Sequence, residues 1–246
     1  MSRLVILTGP SCSGKSPLLK ALRRFYPELA DSLRQLVLYT DRDPRPGERE
    51  GVDYYFRPRA EIEALRGTPG VIVQEVRRDL QALEVSQVTD LLAAGQQPLF
   101  EGNPYVARAL QQTPELAGVA QVSCFLSPLS LAEIQYLQAQ PTADLRHLVT
   151  DVMRRKLLRR TQRQKGILSA PDLADIEARC GAACDELAYA PACDWVFPNH
   201  DGEDSENWDA FYYPLGDARQ CLLDLAALLA GDAPRHAEKW PLDLFA

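Results

Sequence analysis

What this chain can fold into is most tightly constrained by its first twenty-odd residues. Leu4-Val5-Ile6-Leu7 is an apolar run of strand length, Gly9 to Ser16 read GPSCSGKS, and Leu18, Leu19 and Leu22 recur at helical spacing. The spacing G-x-x-x-x-G-K-[ST] alone would arise by accident in about one in a hundred chains of this length. With a buried strand before it and a helix after it, the loop aims backbone N–H groups and a helix N-terminus at one point, which is how phosphate oxygens are held. Gly9 and Gly14 permit the tight turn and close backbone approach, Ser11, Cys12 and Ser13 complete the cradle, Lys15 reaches the β- and γ-phosphates, and the Ser16 hydroxyl takes Mg2+. ATP with Mg2+ is the expected pair of cofactors; an ordinary glycine-rich turn is the bland alternative. Pro17 has no N–H to give to a phosphate, although the first turn of a helix accommodates it sterically.

Apolar strand candidates alternate with helical patterns along the rest of the chain: 4–7, 35–40, 71–76, 98–101, 119–126 and 195–198. That alternation predicts an α/β fold, a mainly parallel sheet sandwiched by helices, with ligands at the carboxyl ends of the strands. The 246 residues suffice for one large domain carrying a lid and smaller insertions. With 34 acidic against 27 basic residues, a net charge of -7, the balance argues against general nucleic-acid or membrane-surface binding, while leaving room for small anions where arginines gather locally. No apolar run is long enough to span a bilayer, and the first one leads straight into the phosphate loop, so no secretory leader is expected. Six scattered cysteines suit a reducing, cytoplasmic setting. Cys180, Cys184 and Cys193 could share a metal, but without a C-x-x-C pair or a nearby histidine they read as small apolar packing residues. His147, His200 and His236 are too dispersed to form a catalytic cluster.

Two stretches break the pattern. Residues 39–56, YTDRDPRPGEREGVDYYF, predict an ordered loop leading into a small subdomain. Residues 154–165, RRKLLRRTQRQK, form a dense basic run. It reads as a solvated helix face or as mobile cations that close over polyphosphate; an RNA-binding helix is disfavoured because no aromatic platform is interleaved.

The stretch T-x-R-x-P-R-P-G-E-x-x-G-x-D-Y-x-F, residues 40–56, resembles the nucleotide-monophosphate-binding loop of the guanylate kinase family. Further on, DELAYA at 185–190 and DWVFPN at 194–199 are similar to that family's final helix and strand, so the resemblance runs over about residues 3–230 in family order. It implies an NMP-binding subdomain at 38–84, a lid at 130–190, and a C-terminal acidic segment, helix and tail at 200–246. It further implies ATP-dependent phosphorylation of a nucleoside monophosphate, GMP or dGMP first. Arg42, Arg45 and Tyr54 would grip the acceptor phosphate, Arg159, Arg163 and Arg179 would be the lid arginines, and Asn199 the adenine-side asparagine. Glu75 would read the base, and Glu101 would hold Mg2+ or substrate.

The sequence departs from the family pattern at Leu38, where a serine is usual, at Gln81-Ala82-Leu83, which replace a tyrosine-glycine-serine or threonine segment, and at Asn103, an amide in place of an acid. These departures keep two alternatives open: a kinase for a different or modified nucleotide or small acceptor, and a catalytically silent protein-binding module of the same fold. Lys15, Arg42 and Arg45 argue for the enzyme, Pro17 and the altered base pocket for the module. The acidic segment 200–209 reads as a capping loop or a subunit contact, which leaves a homo-oligomer open, and the tail 235–246 is expected to pack through Trp240, Leu244 and Phe245.

Overall fold

The computed structural model describes residues 2–45 and 47–245; Met1, Ala246 and Pro46, the second proline of the stretch 39–56, lie outside it. Nine strands are found among the described residues: β1 (Leu4–Thr8), β2 (Leu33–Gln35), β3 (Leu38–Thr40), β4 (Tyr54–Phe56), β5 (Val71–Val76), β6 (Asp79–Glu84), β7 (Gln97–Gly102), β8 (Gln121–Ser127) and β9 (Trp195–Pro198). Five of them form a sheet in the order β2-β7-β1-β8-β9, and its outer pairs β2–β7 and β8–β9 are parallel. The remaining four form a second sheet in the order β4-β3-β6-β5. The α/β class is as the sequence predicts, but residues 71–76 do not join the parallel sheet. They pair antiparallel with β6, from Val71 opposite Glu84 to Val76 opposite Asp79. The cause is a two-residue turn in which Arg77 takes a φ of 61°, a conformation ordinarily announced by glycine or asparagine.

Helices run as α1 (Lys15–Phe25), α2 (Pro27–Ala30), α3 (Arg59–Glu63), α4 (Ser86–Ala93), α5 (Pro104–Gln111), α6 (Leu131–Gln138), α7 (Leu145–Lys165), α8 (Ala170–Leu187) and α9 (Gly216–Ala230). The chain divides into two compact units, residues 1–6 with 33–122 and residues 7–32 with 123–246. In the first unit, Leu38, Val76, Leu83, Phe100, Val106 and Leu110 share one core, and Ile62, Leu80 and Ala82 share a smaller one on the other face of the second sheet.

The second unit is largely helical around β8 and β9. Its long helices start where local chemistry dictates. Ser130 with Glu133, and Ser169 with Asp172, form capping boxes for α6 and α8, and the Asp144 carboxylate accepts from the His147 N–H to cap α7. Val149, Met153 and Leu157 of α7 pack with Ile176, Cys180 and Ala183 of α8. Cys180 is thus a packing residue, and among the described residues no cysteine forms a disulfide and no cluster of metal-ligating side chains occurs. The tail is held as expected: Trp240 is buried, Leu244 and Phe245 pack beside it, and Glu238 bridges to Val196. Among the described residues no helix is long and apolar enough to cross a membrane.

Candidate functional site

The phosphate loop lies in the second unit, and its backbone explains its glycines. Gly9 has φ 141° and a Cβ there would sit 2.4 Å from the Leu126 carbonyl oxygen; Gly14 has φ 103° and a Cβ there would sit 2.4 Å from Asn199 Nδ2. Gly14 is also the residue from which α1 starts, with no side-chain cap and no acid in the first turn, which leaves that N-terminus suited to an anion. Lys15 Nζ donates to the carbonyls of Gly9 and Pro10, both at 2.8 Å, so it arches back over the loop. Ser16 is exposed in the first helical turn, and Pro17 follows without breaking the helix. Ser13 is buried and lies 3.4 Å from Lys15 Nζ. Burial pushes the Cys12 thiol up to about 12, against a smaller lowering by Arg160, so it is no nucleophile at neutral pH. Asn199 is fully buried and donates from Nδ2 to the Ser13 carbonyl at 2.7 Å, bracing the loop from behind.

The cations of α7 are engaged by the segment that follows Asn199. Arg159 Nε donates to Asp204 Oδ2 at 2.7 Å, Arg160 to Glu203 at 2.9 Å, and Arg163 to the Asp204 carbonyl at 2.6 Å and to Glu206 at 3.1 Å. Buried Lys156 donates to the His200 carbonyl. The basic run is therefore an ordered set of pairs on this helix. Arg179 is buried on α8, 2.9 Å from Asp175 one turn earlier. Arg160, which the sequence reading passed over in favour of its neighbours, is the arginine that bears electrostatically on Cys12 of the phosphate loop. Helical spacing carried the signal, because Val149, Met153, Lys156 and Leu157 are buried and Arg160 continues that stripe.

His200 sits between two carboxylates, Nδ1 2.5 Å from Asp217 and Nε2 2.7 Å from Glu133. Burial alone would lower its pKa, but the two acids raise it above the ordinary 6.5. A raised folded-state pKa gives stabilisation that is complete below about pH 6.5 and disappears as pH climbs through the folded value. Thermal melts of the wild type should accordingly decline over that rise, and His200→Gln should flatten the decline; an unchanged profile would contradict the pairing.

In the first unit, Arg42 forms a bidentate pair with Glu48, at 2.7 and 2.6 Å, and stacks over Tyr54 with 4.8 Å from guanidinium carbon to ring centroid. Desolvation alone would lower the Arg42 pKa, but Glu48 raises it, so the cation is permanent. Arg45 is exposed on the same loop, and its N–H donates to Glu48 Oε2 at 2.8 Å, which places both arginines around one carboxylate. Glu101 lies at the end of β7, near enough to raise the Tyr54 pKa, although burial is the larger cause.

The structure does not bring Glu75 to this group. Its side chain is 63% exposed, pairs with Arg59 at 3.2 Å, and shares a face with Val71 and Val73 on the far side of the second sheet. One residue earlier, Gln74 shares the Tyr54 face, directly opposite Gln81, which is in turn opposite Thr40. Asn103 caps α5 by accepting from the Val106 N–H and donates to Gln81 Oε1 at 2.8 Å. Thr40 is fully buried, and its hydroxyl has no hydrogen-bond partner among the described residues. This face thus offers neutral amides and a hydroxyl where the sequence reading placed a carboxylate.

Comparison with known proteins agrees with the motifs. A family model described as guanylate kinase matches residues 1–156. Among curated relatives, the guanylate kinase of Synechococcus sp. (strain JA-3-3Ab) is 39% identical over 135 residues, 54% of this chain and 58% of that protein. The guanylate kinase of Nocardia farcinica is 37% identical over 136 residues, 54% of this chain and 66% of that protein, and that of Rickettsia bellii 32% over 142 residues, 57% and 70%. The matched segment thus spans between 58% and 70% of these relatives. The crystal structure of guanylate kinase from Anaplasma phagocytophilum superimposes with a TM-score of 0.51 over 81% of this chain and 78% of that one, at 21% identity, a likeness of fold. Arg159, Arg163, Arg179, Asn199 and the segment after it lie beyond the family-model match.

Proposed function

The chain belongs to the guanylate kinase family, and on that premise we propose that it transfers the γ-phosphoryl group of ATP to GMP or dGMP. The observation that carries this reading is the phosphate loop, with its glycines at 9 and 14 and Lys15 arched over it at the start of α1. Phosphoryl transfer asks the protein for alignment and for positive charge at the equatorial oxygens. Lys15 would swing from the Gly9 and Pro10 carbonyls to the donor phosphates, with arginines from α7 and α8 beside it. On the acceptor side, Arg42 and Arg45 supply forked donors suited to a phosphate monoester, and Tyr54 a directed hydroxyl. The acceptor phosphate is already an oxyanion, so no general base is needed.

The Ser16 hydroxyl and the Glu101 carboxylate are hard oxygen donors of the kind Mg2+ selects, and Mg2+ bound to the donor would offset the charge on its phosphates. The six scattered cysteines support a cytoplasmic setting, and the arginines gathered at 42 and 45 and along α7 support small anionic substrates despite the acidic balance of the whole chain.

The test is ADP formation by purified protein with Mg-ATP and, in turn, GMP, dGMP, AMP, IMP, CMP and UMP. GMP and dGMP should lead. Turnover led by another nucleotide would move the acceptor assignment, and no turnover on any would contradict the proposed function.

A further inference from the structure

Residues 200–208 form a strap built from within. Asp201 Oδ1 accepts from Ser205 and Asn207, and its Oδ2 accepts from the Ala218 N–H in the first turn of α9. Trp208 is buried, donates from Nε1 to the Gly202 carbonyl at 2.6 Å, and closes on Gly14 so nearly that a Cβ there would be 3.2 Å from its ring.

One residue of the strap holds two parts of the site. The Glu203 N–H donates to the Cys12 carbonyl at 2.9 Å, at the residue that bends the phosphate loop with φ 67°. The Glu203 carboxylate accepts from an Arg160 Nη at 2.9 Å. Beneath it, Asp204 is 3% exposed and accepts from Arg159 Nε, with Lys156 Nζ 3.8 Å from its other oxygen. Each guanidinium is only partly used: Arg159 engages Asp204 through Nε while staying 61% exposed, and Arg160 engages Glu203 through one Nη, its buried Nε having no hydrogen-bond partner among the described residues. Arginine carries five donors, so gripping one edge leaves the rest for an anion and restricts where they point. A carboxylate buried as deeply as Asp204 is not one that an incoming phosphate displaces.

We propose that Glu203 is a positioning residue that fixes Arg160 against the phosphate loop before the donor arrives, with Asp204 fixing Arg159 in the same way. The strap makes the anion site ready in advance, at the cost of bringing negative charge close to it. The inference rests on reading the loop as the donor site.

Its test separates reach from charge. Binding of inorganic tripolyphosphate, without Mg2+ or acceptor, is measured by calorimetry for wild type, Glu203→Gln, Glu203→Asp and Arg160→Ala. Gln keeps the reach and removes the charge; Asp keeps the charge and the backbone bond to Cys12 but falls short of Arg160. Positioning predicts that Glu203→Gln stays within about threefold of wild type while Glu203→Asp and Arg160→Ala each weaken binding by roughly tenfold, the scale of a lost charge-assisted hydrogen bond. Adding Glu203→Asp to Arg160→Ala should weaken it no further, because the two act as one unit.

A simple charge effect predicts the reverse, tighter binding by Gln and unchanged binding by Asp, and would overturn the proposal. So would wild-type affinity in both Glu203 variants, or a wild type that does not bind tripolyphosphate. Turnover plays no part in this readout, so a protein that fails the nucleotide assay can still pass it, and the two proposals fail separately.

Discussion

Lys15→Ala is expected to lower turnover by roughly 10²–10³-fold, the scale seen when one preorganised donor to a transition-state oxygen is removed. The folded state should scarcely change. Lys15 Nζ contacts the Gly9 and Pro10 carbonyls and the Ser13 hydroxyl, all within its own loop, while the core beneath is formed by residues such as Leu18, Leu22 and Phe125. Loss of activity with an unaltered melting temperature is therefore the signature, and a variant that retains more than half of wild-type turnover would remove Lys15 from the chemistry.

Arg42→Ala should produce the second largest effect, and a different one. Both Nη groups engage Glu48 and the guanidinium covers Tyr54, so the substitution removes the proposed phosphate fork and leaves a largely buried carboxylate without its partner. A stability loss of about 1–3 kcal/mol is expected from the stranded carboxylate. Beyond it, KM for GMP should rise by roughly 100-fold, a loss of two charge-assisted contacts, with KM for ATP changed far less. Arg42→Ala combined with Glu48→Gln should recover stability without recovering GMP use. If the double variant recovers both, Arg42 is a scaffold for its loop and not a contact to substrate.

The parts of this protein that could be read in the sequence are those whose chemistry is contiguous. At Gly9 and Gly14 the backbone is left-handed and a Cβ would collide with Leu126 or Asn199, so the loop writes its geometry into residue type. Arg42, Arg45, Glu48 and Tyr54 are likewise gathered by one short loop, and their pairing is nearly local.

What stayed hidden depends on partners far away in sequence or on a one-residue register. The β5–β6 hairpin turns on Arg77, which gives no turn signal. The choice between Gln74 and Glu75 rests on the two-residue period of β5, where a slip of one moves a side chain to the opposite face. The strap reads as a capping loop or a subunit contact, and which of its acids are buried is not legible there: it buries Asp204 and Trp208, and the cations that neutralise it lie some 45 residues earlier on α7.

The central claim, that this chain moves a phosphoryl group between nucleotides, is tested most directly by 31P NMR of a mixture of protein, Mg-ATP and GMP. The account predicts GDP and ADP appearing together in equal amounts, with free phosphate at background and the Lys15→Ala protein nearly silent. ADP appearing with inorganic phosphate in place of GDP, or no change in the ATP resonances, would contradict it.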